Sequence, residues 1–479
     1  MLFNSVDFAI FFPVFFVLYW LLAKKIVLRN ILILSGSYLF YGWWDWRFLF
    51  LIIFSSFVDF LVGLQLQKAT NASHRKGYLL LSLFSNLGLL VYFKYANFFI
   101  DSFARAFTLF GREIDSITLN VILPVGISFY TFQTLSYTID IYYGKVKPTK
   151  NFLAFFSFVA FFPQLVAGPI ERAKHLLPQF FVIHKFNYKY ARSGILLIAF
   201  GLFKKMVIAD RLGILVNQVY NDPTSYSGGA LIVATIAFAF QIYCDFSGYS
   251  DIAIGASRML GFDLMKNFDA PYFAKSITDF WRRWHISLST WFRDYVYIPL
   301  GGSRKGEFRL YLNLFIVFVV SGLWHGAAVT FIIWGAIHGF AIVLEKAFSN
   351  HGFRGNRKNL FSSALFMLFT FLLVCYAWIF FRANSLGDAM YFSKNIFNLE
   401  NSTNFFELGL PIHEFYAGVV AIVLLLVFDA LHKKYNAIKI LDKIPFFIRP
   451  VFYVLIIFVI VIFGIYGEEG VSEFIYFQF

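Results

Sequence analysis

Residues 310–344 read LYLNLFIVFVVSGLWHGAAVTFIIWGAIHGFAIVL, an apolar run with no Asp, Glu, Lys or Arg and with two histidines, His325 and His338. A helix needs about 20 mainly apolar residues to cross the roughly 30 Å of a bilayer core. The run is too long for one crossing, and Gly322 and Gly326 interrupt its middle. Basic clusters at 282–309 and 346–358 flank it on both sides. Cytoplasmic loops carry the excess of Lys and Arg. Both ends therefore belong on one face, and the run is expected to be a hairpin turning near residues 322–326.

The rest of the chain is of the same kind. Its 479 residues are 59% hydrophobic, 22% aromatic and 14% charged, with a mean hydropathy of +0.68. Soluble domains run at roughly 45–50% apolar and about 25% charged, so a water-soluble enzyme is excluded. The fold class expected is an all-α polytopic membrane protein, its partner the lipid bilayer. Candidate segments are 8–23, 30–44, 47–66, 78–99, 117–142, 152–170, 194–220, 229–262, 310–324, 326–344, 360–381, 414–431 and 450–467, about a dozen in all.

The net charge of +14 follows the same topology. Lys24, Lys25 and Arg29, then Lys68, Arg75 and Lys76, then Lys145, Lys147 and Lys150 recur on alternate sides of the segments. The tail from Glu468 has three Glu and no basic residue. The charge is thus orientation in a membrane, not a surface for nucleic acid. It places both termini outside a cytoplasmic membrane. Residues 152–170 also lie between two basic loops, so they are expected to be re-entrant or split. Non-helical backbone at that depth is tolerated only inside protein or beside a wet cavity.

Ionisable groups inside apolar segments are candidate site residues. His325, beside Trp324 in SGLWHG (321–326), has a side chain able to accept a hydroxyl proton near neutral pH; a neutral, hydrogen-bonded bundle histidine is the bland alternative. For His338 a structural hydrogen bond is the favoured role. Trp281, Trp284, Leu288, Trp291 and Tyr295 recur at 3–4-residue intervals, one helical face. With Arg282 and Arg283 between them they suggest an aromatic-belt helix at the cytoplasmic interface, and His285 flanks that stripe one turn from Ser289. The loop PLGGSRKG (299–306) sets Arg304 and Lys305 beside Gly301 and Gly302, for lipid headgroups or a phosphate. Asp245 and Asp251 stand six apart in an apolar run, paired with Arg258 or an interfacial arginine, or lining a tunnel. Cys244 and Cys375 form no C-x-x-C, and no H-E-x-x-H occurs, so neither a disulfide scaffold nor a metal site is expected.

These motifs resemble the membrane-bound O-acyltransferases. The resemblance rests on DFWRRWHISLSTWFRDYVYIPLGG (279–302), SGLWHG (321–326), WGAIHG (334–339), QIYCDFSGYSDIAIGASRMLG (241–261), FPQLVAGPI (162–170) and PVG (124–126). It is closest to the bacterial branch concerned with alginate O-acetylation, with teichoic-acid D-alanylation more distant. It implies a ring of about a dozen transmembrane and re-entrant helices around a thin central region with a cytosolic funnel. One membrane domain follows: N-terminal helices to 116, a core over 117–350, and C-terminal helices with an aromatic tail over 351–479.

The resemblance also implies a catalytic role for His325 and a second one for His285. The expected reaction is acyl transfer, acetyl first, from a cytosolic thioester (acetyl-CoA or an acyl-carrier-protein thioester) to hydroxyls of an extracytoplasmic envelope polysaccharide. No bound cofactor is expected. A separate extracytoplasmic acyltransferase or esterase-like partner would act on the polymer. The tail VSEFIYFQF (471–479) resembles motifs in which a tyrosine holds the acyl group in passing, here Tyr476; an aromatic anchor is the plain alternative. Two competing functions are D-alanyl or longer-acyl transfer to teichoic acid or peptidoglycan, and a transporter or export channel without chemistry. A scaffold that only docks the extracytoplasmic enzyme is a third.

Overall fold

The computed structural model describes residues 1–108, 124–166, 168–351, 359–398, 408–435, 445, 447–466 and 474–475. Among the described residues every regular element is helical. Among the described residues seven helices are long and apolar enough to cross a membrane, so the chain is an all-α, multi-pass membrane protein. It divides into two compact units, residues 1–198 with 252–265, and residues 199–251 with 266–479.

The first unit begins with α1 (Val6–Leu22), α2 (Ile26–Gly42), α3 (Leu49–Lys68), α4 (Ala72–Thr108) and α5 (Ile127–Tyr142). Ser5 caps α1 by accepting the Phe8 N–H, satisfying one of the orphan donors at a helix start. Arg29 is not in a basic loop. It is fully buried in α2, donating to the Val182 and Phe180 carbonyls at 2.6 and 2.8 Å. The segment expected to be re-entrant or split is split. Helix α6 (Phe152–Ala160) has only 9 residues, about 14 Å of rise, and cannot cross. Phe161 breaks it at φ −51°, ψ 104°, a second turn of helix follows at Phe162–Leu165, and the side chains from Ala154 to Leu165 are buried.

In the sequence that follows, α7 (Tyr188–Leu202) passes through a π-helical stretch (Phe203–Ala209) into α8 (Asp210–Asn221), and α9 (Gly228–Met259) comes next. The second unit then holds two short helices, α10 (Ile277–Trp281) and α11 (Ile286–Phe292), and the hairpin α12 (Glu307–His325) and α13 (Val329–Asn350). The hairpin is present, but its turn lies at residues 326–328, where Gly326 and Ala328 are extended. Gly322 stays inside α12 because it serves packing. A Cβ there would lie 2.2 Å from the Phe331 carbonyl oxygen, and one at Gly335 would lie 2.3 Å from that of Phe318. Small residues of this kind let membrane helices touch backbone to backbone.

Helix α14 (Leu360–Arg382) shows how one helix serves lipid and interior together. Phe361, Leu368, Phe369 and Leu372 are exposed, while Trp378 and Phe381 are buried. Helices α15 (Leu386–Asn395), α16 (Ile412–Tyr435) and α17 (Arg449–Phe463) also belong to the unit.

Candidate functional site

Residues 281–295 do not form the single interfacial helix that their aromatic spacing suggests. Helix α10 starts at Ser276, whose hydroxyl accepts the Asp279 N–H, and ends at Trp281. His285 then adopts φ 42°, ψ 55°, and α11 starts at the next residue. A left-handed, non-glycine residue costs about 1–3 kcal/mol and persists only where its surroundings impose it. Here Ile286 N–H donates to the Asn267 carbonyl and Asp269 N–H to the Arg283 carbonyl, both at 2.9 Å. The break turns the tryptophans inward. Trp281, Trp284 and Trp291 are all buried, so none is a lipid-facing belt residue.

Asn267 governs the histidine at this elbow. Its Oδ1 accepts from the Ser287 N–H at 3.3 Å and the Ser287 hydroxyl at 2.9 Å, and its Nδ2 donates to Ser250 Oγ at 3.1 Å. The same Oδ1 lies 3.1 Å from His285 Nδ1. An amide oxygen can only accept, so Nδ1 carries the proton and Nε2 carries the lone pair. Burial, and then repulsion from His325, hold His285 well below its ordinary pKa. The ring is neutral at pH 7.

His325 is the last residue of α12 and is buried. Its ring meets Trp334 edge-on at 5.0 Å and Phe381 at 5.4 Å. Trp334 in turn stacks on Trp378 at 5.9 Å, and Trp378 packs against Trp284 at 5.2 Å. The two histidines thus share one aromatic interior and act on each other electrostatically. His338 also meets Trp334, edge-on at 5.1 Å, and its Nδ1 accepts from Trp281 Nε1 at 3.3 Å. That bond gives His338 the structural role favoured for it.

The remaining candidates are dispersed. Trp324 is partly buried, and Ser289 is bound to the Trp284 carbonyl at 3.3 Å. Arg282 and Arg304 are exposed, and Arg283 pairs with Asp279 at 2.8 Å. Among the described residues Asp245 and Asp251 form no ion pair with arginine. Their partners are Lys205, at 2.7 Å from Asp245, and Lys204, which bonds Asp251. The expectation missed that two lysines in the apolar run 194–220 face inward and need countercharges. Asn267 was also missed; nothing in a single polar residue before the motif signals a clamp. Tyr476 lies outside the described residues. Cys244 and Cys375 are buried free thiols. Among the described residues no group of three or more His, Cys, Asp or Glu is placed to hold a metal ion.

A neutral, oriented imidazole that shares an interior walled by rings with a second one is suited to moving a hydroxyl proton where water is scarce. The model of the membrane-bound O-acyltransferase family matches residues 146–386, a span that contains Asn267, His285 and His325. The Pseudomonas aeruginosa protein described as "Probable alginate O-acetylase AlgI" is 42% identical over 441 residues, 90% of this chain and 82% of its own. The peptidoglycan O-acetyltransferase of Helicobacter pylori is 36% identical over 447 residues, 87% of this chain and 83% of its own. The teichoic acid D-alanyltransferase of Bacillus subtilis is 28% identical over 278 residues, 55% of this chain and 69% of its own.

Proposed function

Since the chain belongs to the membrane-bound O-acyltransferase family and is an O-acyltransferase, we propose that it passes an acetyl group from a cytosolic thioester to hydroxyls of an extracytoplasmic envelope polysaccharide. The donor in this reading is acetyl-CoA, reached from the cytoplasmic side of the inner membrane, with both termini outside. The relatives named for alginate and peptidoglycan O-acetylation support the acyl group and the class of acceptor. A separate extracytoplasmic acyltransferase completes delivery to the polymer.

The observation that carries the chemistry is the Asn267–His285 clamp, which presents a neutral Nε2 in the same interior as His325. In the proposed step the acceptor oxygen attacks the thioester carbonyl. His325 takes the hydroxyl proton, the C–O bond forms as the C–S bond breaks, and the proton goes on to the departing thiolate. His285 orients the donor through a hydrogen bond accepted at its Nε2 lone pair. The aromatic walls exclude water that would hydrolyse the thioester.

A covalent variant has support of its own. Phe474 and Ile475 are buried in the second unit, and Phe474 packs on Phe246, whose ring meets His285 at 4.6 Å. Tyr476 follows directly in the sequence, and its hydroxyl is the proposed way-station for the acyl group. The test is turnover of radiolabelled acetyl-CoA by the purified protein in nanodiscs. Release of CoA with label on an acceptor or on Tyr476 supports the reading; no thioester consumption with any acyl donor contradicts it.

A further inference from the structure

Asp245 sits on α9 with one carboxylate oxygen on each of two different partners. Oδ1 takes the Lys205 ammonium at 2.7 Å, and Lys205 also bonds Asp210 Oδ1 at 2.8 Å. Oδ2 accepts the backbone N–H of Ile475, 230 residues away, at 2.7 Å. Lys205, Asp210 and Asp245 are all buried. A buried carboxylate needs every lone pair used, and here the chain's own C-terminal segment supplies one of the donors. A charge-assisted bond to a main-chain N–H is directional in a way that apolar packing is not.

The same face of α9 seats the segment's side chains. Phe474 is fully buried, 4.5 Å from the Tyr249 ring and 5.8 Å from Phe246. Tyr249 lies under the Lys205 ammonium at 5.6 Å, and Phe246 meets His285 edge-on at 4.6 Å. One ring therefore separates the C-terminal segment from the histidine.

We infer that Asp245, fixed by Lys205, is a positioning residue: its carboxylate latches the Ile475 N–H and so holds the C-terminal segment in register beside His285. The functional half of this inference rests on the acyl-transfer reading above; the latch itself does not. The latch also gives the buried Lys205–Asp210 pair a purpose. Lys205 neutralises Asp245 in an apolar interior, leaving Oδ2 aimed at the segment.

The decisive variant is Ile475→Pro, which removes the N–H while leaving the membrane helices untouched. A cysteine introduced by Phe474→Cys, at a buried position beside the latch, reports the segment's release through labelling by a membrane-impermeant maleimide in nanodiscs, measured against the same protein without it. Loss of one charge-assisted hydrogen bond shifts an opening equilibrium by about tenfold or more. The latch predicts that Ile475→Pro and Asp245→Ala both raise the labelling rate by about that factor, and that Ile475→Val, which keeps the N–H, labels like the parent. It predicts a matching fall in kcat with the KM for acetyl-CoA unchanged, a split that general unfolding does not give. Tryptophan fluorescence melting checks that Asp245→Ala remains folded, and Ile475→Pro decides the matter if it does not. Unchanged labelling of Ile475→Pro overturns the latch, and raised labelling with unchanged kcat overturns its role in the site. If the parent turns over no thioester but the labelling shift is found, the latch stands and the acyl-transfer reading falls.

Discussion

Asn267 Oδ1 lies 3.1 Å from His285 Nδ1 and thereby decides which nitrogen of that ring carries the proton. The arrangement is over-determined, because Ser287 and Ser250 fix the orientation of the same amide. Asn267→Ala frees the His285 ring to take either tautomer and to rotate. We expect kcat to fall about a hundredfold, with the KM for the thioester little changed. It also strips Ser287 and Ser250 of a partner, at about 1–3 kcal/mol, visible as a lower melting temperature in detergent. A kcat within twofold of wild type would show that the tautomer is irrelevant to the rate.

Gly322→Ala sets two effects against each other. Alanine favours helix over glycine by about 1 kcal/mol. The added methyl, however, would lie 2.2 Å from the Phe331 carbonyl oxygen, and overpacking of that kind costs about 1–3 kcal/mol. The clash wins, since the opposing atom is backbone and cannot rotate away. Thermal unfolding in detergent should show a net loss of stability.

His338→Phe distinguishes the structural histidine from the catalytic candidate. It keeps an aromatic ring against Trp334 but removes the acceptor for Trp281 Nε1. Leaving that buried donor unsatisfied costs about 1–3 kcal/mol. Stability should fall while kcat stays close to wild type; an activity loss equal to that of a His325 variant would move His338 into the chemistry.

The first unit holds a pH-dependent element. His175 lies between Asp263, at 3.3 Å, and Glu171, at 2.8 Å, and hydrogen bonds to the two carboxylates raise its pKa to about 10. Because the folded value exceeds the unfolded one of 6.5, its contribution is complete below about 6.5. It is lost as pH rises through about 10. The imidazole is partly exposed, so solvent screening keeps the effect modest. Melting curves of wild type and His175→Gln should differ at pH 7 and converge above pH 10. Parallel curves across that range would contradict the assignment.

Much of this was legible in the sequence, for identifiable reasons. Uninterrupted apolar stretches mark helices to within a few residues: 229–262 corresponds to Gly228–Met259 and 360–381 to Leu360–Arg382. Charge bracketing located the split at 152–170, because topology forbids an odd number of crossings between two loops on one side. The elbow at His285 was not legible. A 3–4 spacing of tryptophans is satisfied equally by one helix or by two short ones facing the same interior, and only the backbone bonds from Asn267 and to Arg283 choose between them. Nor were the lysine partners of Asp245 and Asp251, since Lys204 and Lys205 come from another helix and are turned inward by a π-helical stretch. Windings of that type are frequent at functional sites, and composition gives no sign of them.

The central claim is that a buried histidine pair carries out acyl transfer, with His325 taking the proton. The most direct measurement is single-turnover transfer from radiolabelled acetyl-CoA by purified His325→Ala in nanodiscs, beside a melting curve showing that the variant is folded. The account predicts a folded protein whose transfer rate has dropped by about 10²–10⁴. Transfer at a near-normal rate by folded His325→Ala would contradict it.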